Sequence, residues 1–434
     1  MTTPTAAGWT EHVVWWHVYP LGFVGADTTG QDRTPMHRLP QLEAWLDYLV
    51  ALGANGLALG PVFRSSTHGY DTIDYFEVDP RLGTTADLEH LIQAAHARGI
   101  RVMLDGVFNH VGREFGPLQT ALADPTAAEN ALFRHTDAGE LEVFEGHDAL
   151  VTLDHSTAEV ADYVGSILNY WLDRGVDAWR LDAAYAVPTT FWATVLPPVR
   201  AKHPEVYILG EVLHGDYTAI VQDGGLDSVT QYELWQAIWH GIAEANFYEL
   251  DWALQRHNDF LQTFVPYTFL GNHDVTRIAT QIPDRRHHAH ALVLLFTLGG
   301  TPAIYYGDER GFEAVKEERF GGDDAIRPAF PASPADLPPG GEGVYTLHQE
   351  LIGLRRRHAW LHTATSRMIE LTNTRYVYEV TAGTNRLLVA LNIGDDTVLV
   401  DQTGTRAPTE LLAGNGEWVS GGVRLPAHGW AILR

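Results

Sequence analysis

The stretch Gly175-Val176-Asp177-Ala178-Trp179-Arg180-Leu181-Asp182-Ala183-Ala184-Tyr185 decides how the rest of the chain is read. Its centre, 178–182, has the composition of a short strand in which an aromatic and apolar residues carry two charges. Residues two apart along a strand project to the same face. Arg180 and Asp182 therefore point together, and Leu181 points the other way. An arginine beside an aspartate favours the ionised carboxylate, and an ionised carboxylate held in a site is a candidate nucleophile. Taken alone, the pentapeptide also reads as a structural ion pair, so the segments around it have to decide.

Working outward, strand-like and helix-like segments alternate from residue 13 onward. Apolar strand-like runs fall at 13–20, 56–62, 101–107, 178–184, 206–212, 228–233, 267–271 and 302–306, the sixth being the weakest. Helical patterns lie at 41–53, closed by Gly53 as a C′ residue, and at 86–99, again ended by glycine. A third, at 159–175, places Val160, Val164, Ile167, Leu168, Trp171 and Leu172 near the 3.6-residue period. Others follow at 235–245, 287–298 and 345–361. Eight strand–helix repeats with short apolar strands predict parallel strands joined by crossover helices. The expected fold is α/β, a (β/α)8 TIM barrel, with active groups at the C-terminal ends of the strands. Residues 111–156 exceed ordinary loop length and are read as a small inserted subdomain over the barrel mouth. The barrel is thereby assigned residues 1–110 and 157–361. After that the texture changes to the β-type runs R-Y-V-Y-E-V, R-L-L-V-A-L-N-I, T-V-L-V and W-A-I-L, separated by Gly, Asn, Asp and Thr. They predict an antiparallel β sandwich over 362–434. Residues 313–343, rich in Gly, Pro and charge, read as a long loop near the barrel mouth.

Composition narrows the function classes. A chain of 434 residues with 45% hydrophobic and 19% charged residues can bury a large core and is not a disordered sequence. A formal net charge of −26 speaks against nucleic acid and anionic membranes as partners. Without cysteine there is no disulfide framework and no thiolate chemistry. The N-terminus lacks a basic region followed by an apolar one, and no apolar run reaches membrane-span length, so a cytoplasmic location is expected.

The polar residues at the predicted strand ends are the candidates for chemistry. The third strand ends in D-G-V-F-N-H, with Asp105, Asn109 and His110. The fourth carries Arg180 and Asp182. The fifth ends in I-L-G-E-V-L-H, with Glu211, and the seventh in F-L-G-N-H-D-V-T-R, with His273, Asp274 and Arg277. The second is followed by S-T-H-G-Y-D-T-I-D-Y, with His68, Tyr70 and Asp71. Acidic groups at four strand ends, all expected on one rim, are hard to explain as a solvated face. Asp105, His110, Asp182, Glu211, His273 and Asp274 are all metal-ligand types. Arg180, however, would repel a metal at Asp182, and the tight H-x-H and H-E-x-x-H spacings are absent, so no catalytic metal is expected. The other chemistry is acid/base work on an acetal. Retaining glycosidases use two carboxyls about 5–5.5 Å apart. Strands about 4.8 Å apart can set Asp182 and Glu211 at that distance.

With D-G-V-F-N-H, A-W-R-L-D-A-A-Y, I-L-G-E-V-L-H and F-L-G-N-H-D in this order, the chain resembles the α-amylase family of retaining α-glucan hydrolases and transglycosylases. The resemblance implies Asp182 as nucleophile, Glu211 as general acid/base and Asp274 as the third carboxylate, which stabilises the transition state. It implies that Arg180 orients Asp182 and that His110 and His273 hydrogen-bond the sugar. Tyr70 would stack on the sugar, and Asp105 would support the site from behind. Glu211 has to carry a proton, which negative neighbours favour. Within the family, G-Y-D-T-I-D-Y-F-E-V-D-P-R-L-G-T, F-N-H-V-G-R-E-F-G-P-L-Q, G-G-T-P-A-I-Y-Y-G-D-E-R-G and G-G-D-D-A-I-R resemble the cyclomaltodextrinase and neopullulanase group. Two departures stand out. About a dozen residues precede the first strand where that group carries an N-terminal β domain, and Ala184-Tyr185 stand where acceptor-side Asn-Glu or Lys-His are usual. Hydrolases of cyclic α-maltosyl-(1→6)-maltose resemble the group and lack that domain.

The expected substrate is a short or cyclic maltooligosaccharide, with no cofactor. Asn109 matches a family calcium ligand, but the histidine that often completes that site is absent, so structural calcium stays open. A transglycosylase or trehalose-forming isomerase would use the same intermediate. An inactive glycan-binding protein would not need the three carboxylates. Asp71 and Arg327 read either as a clamp for the non-reducing end or, for Arg327, as a solvated loop residue. Tyr232, Trp235, Trp239, Phe247, Tyr248 and Trp252 read as a homodimer face, as aglycone subsites or as core.

Overall fold

The eight runs of apolar residues become eight short strands in the computed structural model, which describes residues 8–319, 321–401 and 408–434. They are β1 (Trp15–Val18), β2 (Gly56–Leu59), β3 (Arg101–Gly106), β4 (Ala178–Leu181), β5 (Tyr207–Gly210), β6 (Ser228–Val229), β7 (Tyr267–Phe269) and β8 (Thr301–Tyr305). β1 to β6 run parallel to one another, and β7 runs parallel to β8. Every residue in them except Arg101 is buried, as strands covered on both faces require. The sixth strand is shorter than expected. It stops at Val229, and Glu233 lies in a helix, Tyr232–Ala243, whose first turn is capped by the Gln231 side chain. The reading of the N-terminus as lacking a leader falls on residues 1–7, outside the described residues. Among the described residues no helix is long and apolar enough to cross a membrane.

The chain divides into two units, Met1–Thr230 with Glu318–Pro338 and Gln231–Glu317 with Pro339–Arg434. In the first unit β1 to β6 pair in sequence, each parallel to the next. The crossover helices show why the chain turns where it does. Helix Thr85–His96 opens on a capping box, with Thr84 accepting from the Asp87 N–H and Asp87 accepting in return. The pattern at 41–53 becomes two helices, Leu39–Glu43 and Leu46–Leu52, with the buried Trp45 at the break. The second ends on Gly53 at φ 101°, the left-handed C-cap that glycine favours. Within 111–156 the backbone forms a helix, Gly116–Ala123, and a short antiparallel pair, His110–Gly112 with Leu150–Thr152.

In the second unit β7 pairs parallel to β8. Its C-terminal part is antiparallel. One sheet has the order Thr365–Leu371, Arg375–Ala382, Asn385–Asn392, Trp430–Leu433, Leu411–Gly414, and a second the order Val398–Asp401, Gly422–Leu425, Glu417–Val419. Side chains from both sheets share one core, including Val377, Leu388, Val400, Val423, Leu425 and Leu433. Of the six aromatics left open in the sequence, Phe247 is fully buried and Tyr232 nearly so. Tyr248 and Trp252, one turn apart on helix Phe247–Phe260, are exposed.

Candidate active site

Parallel register builds the first part of the site. Asp105 is the partner of Arg180 across β3 and β4, and Leu181 is the partner of Gly210 across β4 and β5. One residue further on, Asp182 donates its N–H to the Gly106 carbonyl, and Glu211 donates its N–H to the Leu181 carbonyl. Asp182 and Glu211 thus leave adjacent strands at the same level. The shared point of contact is Arg180, whose side chain is buried with theirs. Its Nη1 donates to Asp105 Oδ1 and Oδ2 at 2.8 and 2.6 Å and to Asp182 Oδ1 at 3.3 Å. Its Nη2 lies 2.7 Å from Glu211 Oε1. Burial opposes the guanidinium charge, but Asp105, Glu211, Tyr70 and Asp182 outweigh it and hold Arg180 charged well above the ordinary range.

Two contacts here carry no sequence signal that a motif reading could use. Ala183 sits in the left-handed region at φ 45°, ψ 39°, a conformation that costs a non-glycine residue about 1–2 kcal/mol. The bend aims its N–H at Glu211 Oε2, 3.0 Å away. Phe144, from the 111–156 segment, stacks on His110 with ring centroids 4.8 Å apart and planes 15° from parallel. Burial pushes His110 down to about 4, so the ring is neutral near pH 7. The Asn109 amide donates to His110 Nδ1 at 3.1 Å, which leaves the ring proton on Nε2, 3.0 Å from the Tyr70 carbonyl. The Tyr70 hydroxyl donates to Asp105 Oδ2 at 3.1 Å.

The remaining first-unit candidates form a second cluster and a lone pair of side chains. Asp71 is buried and accepts from the Thr67 N–H and hydroxyl. Arg327 is not solvated, contrary to one expectation: its side chain is 9% exposed, pairs with Asp323 at 2.9 Å and lies 4.7 Å above the Tyr19 ring. Its backbone approaches so closely that a Cβ at Gly22 would fall 2.4 Å from the Arg327 carbonyl oxygen. The Tyr19 hydroxyl donates to the His68 carbonyl at 2.7 Å. Burial raises that hydroxyl to about 12 even with Arg327 opposing it. Burial also lowers His68, while Asp71 works the other way. Tyr185 stands apart from this cluster and donates to Glu145 Oε1 at 3.0 Å.

The second unit holds the seventh-strand motif. His273 is buried, and its Nε2 lies 3.0 Å from Asp274 Oδ2, while the Asp274 side chain is 34% exposed. Asn272, which the sequence reading did not single out, sets this pair: its Oδ1 accepts the Asp274 N–H and its Nδ2 donates to the Tyr232 hydroxyl. Arg277 is enclosed. Its Nη1 donates to the Tyr306 carbonyl and Asp308, and its guanidinium lies 4.1 Å from the centre of the Tyr305 ring.

Known proteins resemble this arrangement. The family described as alpha amylase, catalytic domain, matches residues 18–141 and 140–336. A cyclomaltodextrinase from a Bacillus species is 30% identical over 417 residues, 88% of this chain and 73% of that protein. Among solved structures, the Nostoc punctiforme debranching enzyme superposes with a TM-score of 0.84 at 26% identity over the whole of both chains. The cyclic α-maltosyl-(1→6)-maltose hydrolase of Arthrobacter globiformis does so with a TM-score of 0.83 at 25% identity, over 99% of each. The strand-end carboxyls, the eight parallel strands and these matches agree: the chain belongs to the α-amylase family of glycoside hydrolases, whose catalytic domain is a (β/α)8 barrel.

Proposed function

We propose that the chain hydrolyses α-1,4-glucosidic bonds of short or cyclic maltooligosaccharides with retention of configuration, through a glycosyl ester on Asp182. The carrying observation is that the single Arg180 guanidinium grips both Asp182 and Glu211. One guanidinium in contact with both holds the two carboxyls side by side, as a double displacement with two carboxyls requires. An Asp182 oxygen attacks the anomeric carbon while Glu211 gives its proton to the departing glycosidic oxygen. Glu211 then takes a proton from water, whose oxygen displaces Asp182 and regenerates both groups. Two inversions return the α configuration. Arg180 keeps the nucleophile aligned. The Ala183 N–H and Arg180 steady Glu211, whose oxygens each keep a second lone pair for the travelling proton. By family resemblance, Asp274 and His273 bind sugar hydroxyls in the reacting subsite, and His110 and Tyr70 contact the same sugar. Asp71 and Arg327 close the far end, and Tyr185 with Glu145 lines the acceptor side. No metal takes part in these steps. The preference for small or ring substrates is supported by the relatives named cyclomaltodextrinase and cyclic maltosyl-maltose hydrolase.

The test is product analysis on maltohexaose, a cyclodextrin and cyclic maltosyl-maltose, with the anomer of the first product followed by proton NMR. The expected result is α-anomeric maltose or glucose, with a ring substrate consumed faster than the linear chain. Asp182→Asn and Glu211→Gln should each retain less than about 1% of kcat, in line with the loss of a nucleophile or of an acid/base group. A β-anomeric first product, or an Asp182→Asn variant at full rate, would overturn the assignment.

A further inference from the structure

We propose that Asp284, His287 and His428 form a binding site for a first-row divalent transition metal of the zinc class. The site would clip the 3-10 turn before helix His288–Thr297 to the loop that leads into the last strand, Trp430–Leu433. His287 Nε2 and His428 Nδ1 face each other at 2.9 Å, and Asp284 Oδ2 lies 4.0 Å from His287 Nε2. Among the described residues, these three are the only group whose His, Asp or Glu donor atoms all fall within 4.8 Å of one another.

The chemistry of the set selects the metal. Two imidazole nitrogens with one carboxylate oxygen suit zinc, cobalt, nickel or copper, and do not suit calcium or magnesium, which take oxygen ligands. Two nitrogens on a tetrahedral zinc at about 2.0–2.1 Å would sit a few tenths of an ångström further apart than these two do now. A small spreading of the two rings, with Asp284 Oδ2 swinging inward from its 4.0 Å distance to His287 Nε2, would therefore admit the ion. The outer contacts match a metal site as well. His428 Nε2 faces the exposed Asp395 Oδ1 at 3.1 Å, which leaves Nδ1 as the nitrogen turned to His287.

A cation already holds Asp284: Arg286. Its Nη2 holds Asp284 Oδ2 at 2.6 Å and its Nε holds Oδ1 at 3.0 Å. The Arg286 side chain is 59% exposed, and a carboxylate oxygen has lone pairs for both partners. Arg286 therefore orients Asp284 and can move outward when a dication arrives. The joint is already built: His290 Nε2, one turn along, lies 3.1 Å from the carbonyls of Asn392 and Gly429. His287 and His428 are 141 residues apart, so the metal would close a long loop.

The experiment uses the full chain after chelator treatment and dialysis, titrated with ZnCl2 by calorimetry at pH 7.5, and separately with CoCl2 by visible absorption. The expected result is one site with a micromolar or tighter Kd, a cobalt band of four- or five-coordinate intensity, and a melting temperature that rises with zinc and returns with EDTA. His428→Ala and, independently, His287→Gln should weaken that binding at least 30-fold, with unchanged circular dichroism and unchanged glycosidase rate. The other histidines of the chain set the background. Equal zinc binding by wild type and both variants, or no cobalt band, would overturn the proposal.

Discussion

Arg180 concentrates the consequences of single substitutions. Its planar guanidinium meets Asp105, Asp182 and Glu211 from two nitrogens, a geometry that a lysine ammonium cannot copy. Arg180→Lys should therefore lower kcat by at least about 100-fold while the far-ultraviolet spectrum stays native. Steady-state rates on a linear maltooligosaccharide check this, and a loss under tenfold would reduce Arg180 to a charge. The alternation of Arg180, Leu181 and Asp182 was legible because period two fixes the face. The Ala183 N–H on Glu211 was not legible. A left-handed alanine leaves no mark in a motif, because the strain is set by what the turn must reach and not by the residue's propensity. His110 was placed at the strand end by its motif, but its neutral tautomer depends on Asn109, Tyr70 and Phe144, which only the fold assembles.

Elements were legible where pattern and fold agree. The 159–175 pattern became helix Ala158–Leu172, with all six named apolar residues buried. Helix Thr189–Lys202 was implied by the strand–helix alternation but its bounds were not legible, because it contains Pro197 and Pro198, which as interior residues argue against a helix. Strand Thr365–Leu371 was missed because its residues are largely exposed or half-buried and show no apolar alternation. It forms because Arg375–Ala382 offers an edge. Local chemistry also makes a testable statement. The Thr84 hydroxyl accepts the Asp87 N–H at the start of helix Thr85–His96, so Thr84→Ala should cost about 1 kcal/mol. Urea unfolding reads this as a lower midpoint with an unchanged slope, and an unaltered midpoint would show that packing alone holds that helix.

At the scale of the whole molecule, protons and charge set the behaviour. Burial pushes His110, His257, His290 and His348 down to about 4, against about 6.5 in an unfolded chain. Between these values the unfolded chain takes up protons that the native chain refuses. Stability should therefore be full above pH 6.5 and fall as the pH drops towards 4. Calorimetric melting across that range checks the sign. His257→Gln should flatten the pH slope by up to about one proton whatever its effect at pH 7, and a slope unchanged in the variant would refute the assignment for that residue. The class of fold was legible at this scale because eight short apolar strands separated by helices admit few closures. The division into units at Thr230 and Pro338 was not, since it follows packing and not composition.

Three carboxyls gathered around one guanidinium within a chain of net charge −26 also form a filter for ligands. A phosphorylated or sulfated glucan would carry its own negative charge into that field and should bind more weakly than the neutral glucan. A sugar mimic bearing a ring amine is drawn in as its cation. On the proposed function, this field should favour neutral sugars over their charged derivatives and let basic sugar analogues bind more tightly than neutral ones of the same shape.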